Sequence, residues 1–355
     1  MSKSIIDLKI HCLRHISSSE FAFHPRCNLI FGPNGSGKTS ILEALYLLCS
    51  GHSFRTRENA PLINDGEQTL TLFSRLADQQ TISIQKSLTG PTLVKINGQS
   101  CHSSSELAYF LPCQVFYQDI FQIIDAGPSV RRTLLDWGLF HVEHSYFPIW
   151  KDYRTVLKQR NALLRQQAKK SLFTPWDQKL VELALKLDHL RSNYFMQWLT
   201  VFQRVLSELT DIPCEISYFK GWDKKNNGKE LAAILEEQFA QDIQRQYTQS
   251  GAHQADIYFD LSSKKAKLLL SRGQQKIVLI ALKLAQASLV PTGCIYLFDD
   301  ITAELDAQHV ESLLRCLSRI KDQLFITAMD DGIVRQFKSI LELNTYDLKR
   351  TFLFA

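Results

Sequence analysis

An α/β fold interrupted by an α-helical insertion is what this 355-residue sequence predicts, and three observations predict it. An apolar run, Cys27-Asn28-Leu29-Ile30-Phe31, leads into the glycine-rich Gly32-Pro33-Asn34-Gly35-Ser36-Gly37-Lys38-Thr39, which opens a helix-like run from Ser40 to Leu45. The final quarter alternates helix, strand, helix, strand. Between these two regions, from about residue 129 to 210, the pattern is helical and charged. A sheet begun near the N-terminus and completed near the C-terminus, with the helices inserted between its halves, accounts for that order.

The elements follow in sequence. Alternation over Ile5-Ile6-Asp7-Leu8-Lys9-Ile10 predicts an opening strand, and the strand before the glycine-rich loop comes next. Thr39 to Cys49 forms a helix with Ile41, Leu45 and Leu48 on one face. Segments 69–73, 81–84 and 93–98 read as strands, the last closing on an Asn97-Gly98 turn. A helix over about 146–168 and another over 177–209 are separated by Thr174-Pro175-Trp176 and make a helical hairpin. The second carries Leu180, Leu183, Ala184, Leu187, Leu190, Tyr194 and Trp198 at three- and four-residue steps. At about 25 to 30 residues each, such helices reach only about 40 to 45 Å. After a loop at 221–228 come a helix over 230–247, a strand over 256–261, a helix over 273–290, a strand over 294–298, a helix over 306–320 and a strand over 324–327. The expected domains are a discontinuous head, 1–125 and 251–355, and an inserted helical arm, 126–250.

Composition is that of a soluble globular protein, with 45% hydrophobic and 22% charged residues. No stretch approaches the length of apolar chain a membrane span needs; the best run, Ile277 to Ala285, is broken by Lys283. Asp7 comes too early for a secretory leader, so a cytoplasmic location is expected. The eight cysteines are scattered without a C-x-x-C pair, which reads as free thiols. His141 and His144 are the close histidine pair and lack a third and fourth ligand nearby for zinc.

The glycine-rich segment fits G-x-x-x-x-G-K-[ST] in the strand-to-helix context that gives this motif its meaning. Polyphosphate oxygens are met by inward-turned backbone N–H groups, and Gly32, Gly35 and Gly37 keep that approach clear, with Pro33, Asn34 and Ser36 completing the loop. The helix N-terminus adds free amides and partial positive charge. Lys38 is placed to reach the β and γ phosphates of ATP, and the Thr39 hydroxyl to ligate Mg²⁺. In the last quarter, Cys294-Ile295-Tyr296-Leu297-Phe298-Asp299-Asp300 is an apolar strand ending in two carboxylates. Asp299 is the expected Mg²⁺ partner and Asp300 the group that orients or deprotonates an attacking water.

Leu270-Ser271-Arg272-Gly273-Gln274-Gln275 starts a helix just before that strand, and Ala303-Glu304-Leu305-Asp306 follows the acid pair. This order resembles the ABC-type ATPase head, in which the signature serine and glycine of one subunit contact the γ-phosphate held by another. By that resemblance Ser271, Arg272, Gly273 and Gln274 belong to the nucleotide site. Within the superfamily the chain resembles the RecF family. Residues 299–306 are similar to its D-D-x-x-[SA]-E-L-D and residues 270–274 to its L-S-R-G-Q. Gly127 to Asp136 resembles its R-R-x-x-L-D segment, and Gly251-Ala252-His253-Gln254-Ala255-Asp256 its G-P-H-x-x-D. The resemblance spans essentially the whole chain. It implies a cytoplasmic ATPase of DNA replication and recombinational repair that dimerises on ATP and hydrolyses it slowly, stimulated by DNA. It further implies binding to single- and double-stranded DNA with little sequence preference, and, with recombination mediator proteins, recombinase loading at gaps and SOS induction.

Departures from the wider ABC pattern bear on turnover. Asp300 stands where Glu is usual, and Ile326-Thr327-Ala328-Met329-Asp330 offers no switch histidine. Gln118, in Phe116-Tyr117-Gln118-Asp119, is the candidate sensor of Mg²⁺ and γ-phosphate, or else a solvated loop residue. Residues 151–210 hold eleven Lys or Arg against five Asp or Glu, an excess of six where the whole chain has five. Lys151, Arg154, Lys158, Arg160 and Arg165 are therefore candidate phosphate contacts to DNA, with Lys169 and Lys170 beside them, unless they only solvate a helix face. Trp150, Tyr153 and Trp176 either stack on bases or pack the hairpin. The competing functional classes are the nucleotide-binding subunit of a membrane transporter and a small-molecule kinase or nucleotidase.

Overall fold

The computed structural model describes residues 3–261, 264–265, 269–329, 331–340 and 342–348; Asp330 of the expected switch segment lies outside them. The chain opens with β1 (Ile5–Leu13), β2 (Ile16–Ala22), β3 (Cys27–Phe31) and α1 (Lys38–Ser50). It continues through β4 (Thr69–Leu76), β5 (Thr81–Ser87), β6 (Leu93–Ile96), β7 (Gln99–Ser100), α2 (Ser104–Phe110) and β8 (Cys113–Phe116). The helical stretch holds α3 (Gln122–Asp125), α4 (Pro128–Val142), α5 (Tyr146–Arg165) and α6 (Thr174–Leu209). Then come β9 (Cys214–Phe219), α7 (Leu231–Glu237), α8 (Phe239–Arg245), β10 (Asp256–Leu261) and β11 (Lys264–Lys265). The chain ends with α9 (Arg272–Ala287), β12 (Ile295–Phe298), α10 (Ala307–Ser318), β13 (Leu324–Ala328), α11 (Asp331–Ile340) and β14 (Asn344–Asp347).

The residues form two compact units: 1–120, 205–210 and 272–355 in the first, 121–204 and 211–271 in the second. The first contains two sheets rather than the one continuous sheet expected. An antiparallel sheet runs β2-β1-β4-β5-β6-β7, and a parallel sheet runs β14-β3-β13-β12-β8. The split has a local cause: Leu13 and Ile16 pair across a tight hairpin, so β1 turns back on β2 and never joins β3. Asn97 (φ 52°) and Gly98 (φ 78°) make the turn expected between β6 and β7.

α1 lies between the two sheets. Ile41, Leu42, Ala44, Leu45, Leu47 and Leu48 are all fully buried, packing with Leu8, Leu72 and Ile84 of one sheet and Val115, Leu297 and Phe325 of the other. A helix buried all round replaces the one-faced helix expected, because both sides meet a sheet. On the far strand of the parallel sheet, Lys283 of α9 is buried and donates its ammonium to the Val115 carbonyl. Burial pushes its pKa down to about 8. A lysine whose folded pKa lies below its unfolded value leaves the unfolded chain binding more protons between the two, so stability rises with pH across about 8 to 10.5. We expect Lys283→Met to remove that rise from urea midpoints measured across this range.

In the second unit three helices grip the segment before β10. Arg131 of α4 makes a two-pronged pair with Asp256 (2.7 and 2.9 Å), and Arg132 donates to the Ala255 carbonyl (2.8 Å). Arg191 of α6 donates to Ala252 O (2.6 Å) and pairs with Asp136 (2.9 Å), while the Tyr153 hydroxyl of α5 lies 2.7 Å from His253 Nδ1. These bonds explain why the helical unit takes in residues 251–271. Burial lowers His253 to about 4, and His141, buried against Trp137 and Phe140, likewise to about 4; both act as packed neutral rings.

Three expectations for this unit are corrected. Pro175 sits in the first turn of α6, where its missing N–H costs no hydrogen bond, so the helix starts at Thr174. α6 is thereby 36 residues, about 54 Å, and α5 only 20, about 30 Å. The helix expected over 230–247 is two, broken at Gln238 (φ −90°, ψ 0°).

Arg160 is the third correction. It is fully buried and cannot meet DNA: its guanidinium donates to Asp177 (2.6 Å), Asp242 (2.7 Å) and Thr248 Oγ1 (2.8 Å). Asp242 is itself buried, so removing its partner strands a charge at a cost of about 3–5 kcal/mol. Arg160→Ala is expected to lose that much in urea unfolding, with DNA affinity of the folded fraction unchanged; a loss confined to DNA affinity would return Arg160 to the binding face.

Among the described residues no helix is long and apolar enough to cross a membrane, and no cluster of metal-ligating side chains stands apart. The cysteines are free thiols, five of them buried.

Candidate nucleotide site

Four parallel strands, β3, β13, β12 and β8, end at the same edge of their sheet, and the candidate residues follow those ends. β3 turns into the phosphate loop at Gly32, where a Cβ would stand 2.8 Å from Ser36 Oγ and 3.3 Å from Leu348 Cβ. Gly37 (φ 94°) caps α1 in the left-handed region, which an L side chain resists. The loop is thus shaped as a bare backbone cradle at a helix N-terminus, whose first amides have no partner within the helix. Ser36 Oγ is buried with no hydrogen-bond partner, a polar atom left for a ligand inside the cradle.

Lys38 is buried and folds over the loop, donating to Gly32 O (2.7 Å) and Pro33 O (2.8 Å). Burial lowers its pKa, and the charges of Asp300 and Asp299 work against that shift. The Thr39 hydroxyl reaches the Asp299 carboxylate at 3.0 and 3.1 Å. From β13, Thr327 Oγ1 donates to Asp299 Oδ1 (2.9 Å) and accepts the Asp300 N–H (2.8 Å). Burial raises the Asp299 pKa, opposed by the hydrogen bonds from Thr327 and Thr39. A hydroxyl and a carboxylate in contact beside a polyphosphate cradle are oxygen donors of the type a magnesium ion takes. The residues present therefore fit both ATP and Mg²⁺.

Asp300 is half-buried and left-handed (φ 49°). Gln118 is exposed and begins two residues past β8, whose last carbonyl, Phe116 O, receives the Asp299 N–H at 2.8 Å. Ser271 and Arg272 are exposed where α9 begins, and Gly273 packs against the loop after the acid pair.

Sequence reasoning missed Thr327 as a site residue; its signal was a lone hydroxyl at the end of the apolar strand Leu324–Ala328. It also missed Glu43, fully buried on α1, which accepts from Arg14 (2.8 and 2.9 Å), and lies 3.6 Å from Arg55. Glu43 holds Arg55 where its charge favours ionised Asp299.

In the second unit, Lys151, Arg154, Lys158 and Arg165 are exposed on one face of α5 and line a groove of about 590 Å³. The Arg154 guanidinium lies 4.6 Å from the centre of the Trp150 ring. Tyr153 points away from that face into the core, which removes it as a base-stacking candidate, and Trp150 and Trp176 are half-buried. Lys170 pairs with Glu236.

A phosphate loop, an acid pair two strands away in the same parallel sheet and a helical insertion define an ABC-type ATPase head of the SMC kind. Residues 4–351 match the RecF/RecN/SMC N terminal domain. The DNA replication and repair protein RecF of Cellvibrio japonicus is 40% identical over 337 residues, 92% of each chain. That of Pseudomonas entomophila is 37% identical over 343 residues, 94% of this chain and 93% of its own. The chain belongs to the RecF family. Among solved structures, the recombination mediator protein RecF with ATP, of the RecFOR pathway, superposes with TM-score 0.83 at 25% identity, covering 98% of this chain and 95% of that one. The Smc head domain of Pyrococcus furiosus shares the fold, with TM-score 0.58 at 16% identity over 94% and 91% of the two chains.

Proposed function

We propose that the protein is an ATP-dependent DNA-binding protein of recombinational repair, two copies of which close on DNA when ATP is bound. The observation that carries this reading is the convergence of Lys38, Thr39, Asp299 and Thr327 on one sheet edge, in a chain of the RecF family. Gly32 to Gly37 receive the phosphates through backbone amides, and Lys38 exchanges its two carbonyl partners for phosphate oxygens. Thr39 and Asp299 would hold Mg²⁺, which would supply positive charge against the polyphosphate. Asp300 takes the proton of the attacking water, and Gln118 senses the γ-phosphate. Ser271, Arg272, Gly273 and Gln274 of one copy complete the site of the other. The nucleotide-binding head is proposed as the first unit, 1–120 with 205–210 and 272–355, and the arm as the second, in which 251–271 falls with the helices and not with the head as expected. By family likeness the partners are mediator proteins and a recombinase loaded at single-strand gaps, with SOS induction following.

DNA contact is assigned to Lys151, Arg154, Lys158 and Arg165. Each phosphate neutralised contributes about one unit to the slope of log affinity against log salt, whatever the sequence. A triple Lys151→Ala, Arg154→Ala, Lys158→Ala variant is expected to bind single- and double-stranded DNA more weakly and to flatten that slope by about three. Fluorescence anisotropy over a salt series reads both; an unchanged slope would move the interface elsewhere.

The primary test is solution mass by light scattering without nucleotide, with ATP and with ADP, each with and without a gapped duplex. Dimer in ATP, strengthened by DNA and lost in ADP, supports the clamp. A monomer indifferent to DNA in every condition overturns it.

A further inference from the structure

The loop after the acid pair holds a shape its own backbone does not favour. Asp300 (φ 49°) and Glu304 (φ 67°) are both left-handed, a region that aspartate tolerates and that glutamate adopts when its surroundings impose it. Inside the loop, Ala303 N–H donates to Asp300 O and Leu305 N–H to Thr302 O, each at 3.2 Å. Outside it stands α9. Lys276, in the second turn of that helix and only 8% exposed, donates its ammonium to Ala303 O (2.6 Å) and Asp300 O (3.3 Å). One turn earlier Gly273 comes so near that a Cβ there would stand 2.5 Å from Glu304 O. Burial lowers the pKa of this ammonium, opposed in part by the charges of Glu304, Asp300 and Asp299. Nothing in the site as described uses this lysine.

We propose that Lys276 is a positioning residue that fastens the start of α9 to the loop 300–304, so that the segment 271–274 and Asp300 move as one piece. The inference rests on the two-copy reading above. Under that reading, when Ser271 and Gly273 engage the nucleotide of the second copy, the movement reaches Asp300 of their own chain. Hydrolysis at one site then depends on occupancy of the other. A flexible lysine elsewhere on α9 could not do this, because the link requires a donor aimed at carbonyls on both sides of the loop.

Lys276→Met keeps the stem and removes the ammonium; Lys276→Arg keeps a cation whose fork can reach both carbonyls. Three measurements on the full-length protein decide the matter: hydrogen exchange over residues 299–306 without nucleotide, affinity for a fluorescent ATP analogue, and steady-state hydrolysis against ATP concentration. For Lys276→Met we expect exchange over 299–306 to quicken about ten-fold. Affinity should stay within about two-fold while kcat falls about ten-fold, the signature of a group that shapes the reacting state rather than binding. The Hill coefficient should fall to about 1. Lys276→Arg should restore slow exchange and at least about a third of the parent kcat. A folded Lys276→Met with parent-like exchange overturns the proposal, as does faster exchange with kcat and Hill coefficient unchanged. A parent that stays monomeric in ATP with a Hill coefficient near 1 overturns the two-copy reading, and the exchange comparison then decides the fastening alone. Should Lys276→Met fail to fold, Lys276→Gln, whose amide reaches one carbonyl, is read by the same criteria.

Discussion

Lys38→Ala is expected to weaken ATP binding by about 100-fold, and with it every ATP-dependent change of mass. The size follows from what the residue faces. Its ammonium is already desolvated and held by Gly32 O and Pro33 O at 2.7 and 2.8 Å, so the cost of burying the charge is met before the ligand arrives. Hydrogen bonds to charged groups contribute about 1.5–3 kcal/mol each, and trading two neutral carbonyl acceptors for two anionic phosphate oxygens gains on balance about the worth of one such bond, about two powers of ten. The alanine variant leaves Asp299 and Asp300, whose charges oppose the burial shift of Lys38, facing a polyanion with no neighbouring ammonium. Lys38→Arg should not rescue it, because Lys38, unlike a lysine that only bridges carbonyls, must turn from them to the phosphates within the narrow cradle, where a compact point charge serves and a longer planar fork does not. Calorimetric titration with ATP and Mg²⁺, beside circular dichroism to confirm the fold, checks the expectation. Parent-like affinity would remove the glycine-rich loop from the nucleotide site.

Why the loop was legible in sequence while other parts were not has a physical answer. The cradle depends on local backbone: three glycines, a lysine and a threonine at fixed spacing after a strand, all within eight residues. Asp299 is legible for a related reason, since an apolar strand ending in carboxylates is a local pattern. Thr327 joins the candidate site only because β13 lies between β3 and β12, a strand order that no local pattern contains. The antiparallel sheet was incompletely visible because β2 is written Ile-Ser-Ser-Ser-Glu-Phe-Ala, an edge strand with little apolar alternation.

Arg160 is instructive in a different way. Charge groups it with Lys151, Arg154, Lys158 and Arg165, yet it falls in register with Tyr153, Val156 and Leu164, the buried stripe of α5. Arg191 stands likewise in the stripe of Leu180, Ala184, Leu187 and Trp198 on α6. A charge at a position that helical period assigns to the core predicts an acidic partner, here Asp177 and the buried Asp242 for one and Asp136 for the other. Period outranks charge when a candidate contact is sorted.

Asp300→Asn is expected to lower ATP turnover by about 10²–10⁴-fold, the usual contribution of a positioned general base, while leaving ATP affinity near that of the parent. The substitution is nearly isosteric, and asparagine tolerates the left-handed backbone that Asp300 adopts, so the N–H bond to Thr327 and the Lys276 contact on its carbonyl should persist. What is lost is the negative charge that would accept a proton. Binding and closure should therefore proceed and opening should not: in light scattering, the ATP-dependent dimer should outlast that of the parent in proportion to the fall in turnover. The shortness of Asp relative to Glu places a carboxylate one methylene further from its target, so the parent should already turn over slowly and the fall should lie toward the lower end of that range. Parent-like turnover in Asp300→Asn would take the proton from Asp300, and because the neighbouring Asp299 is engaged by Thr39 and Thr327, the base would have to come from outside the acid pair.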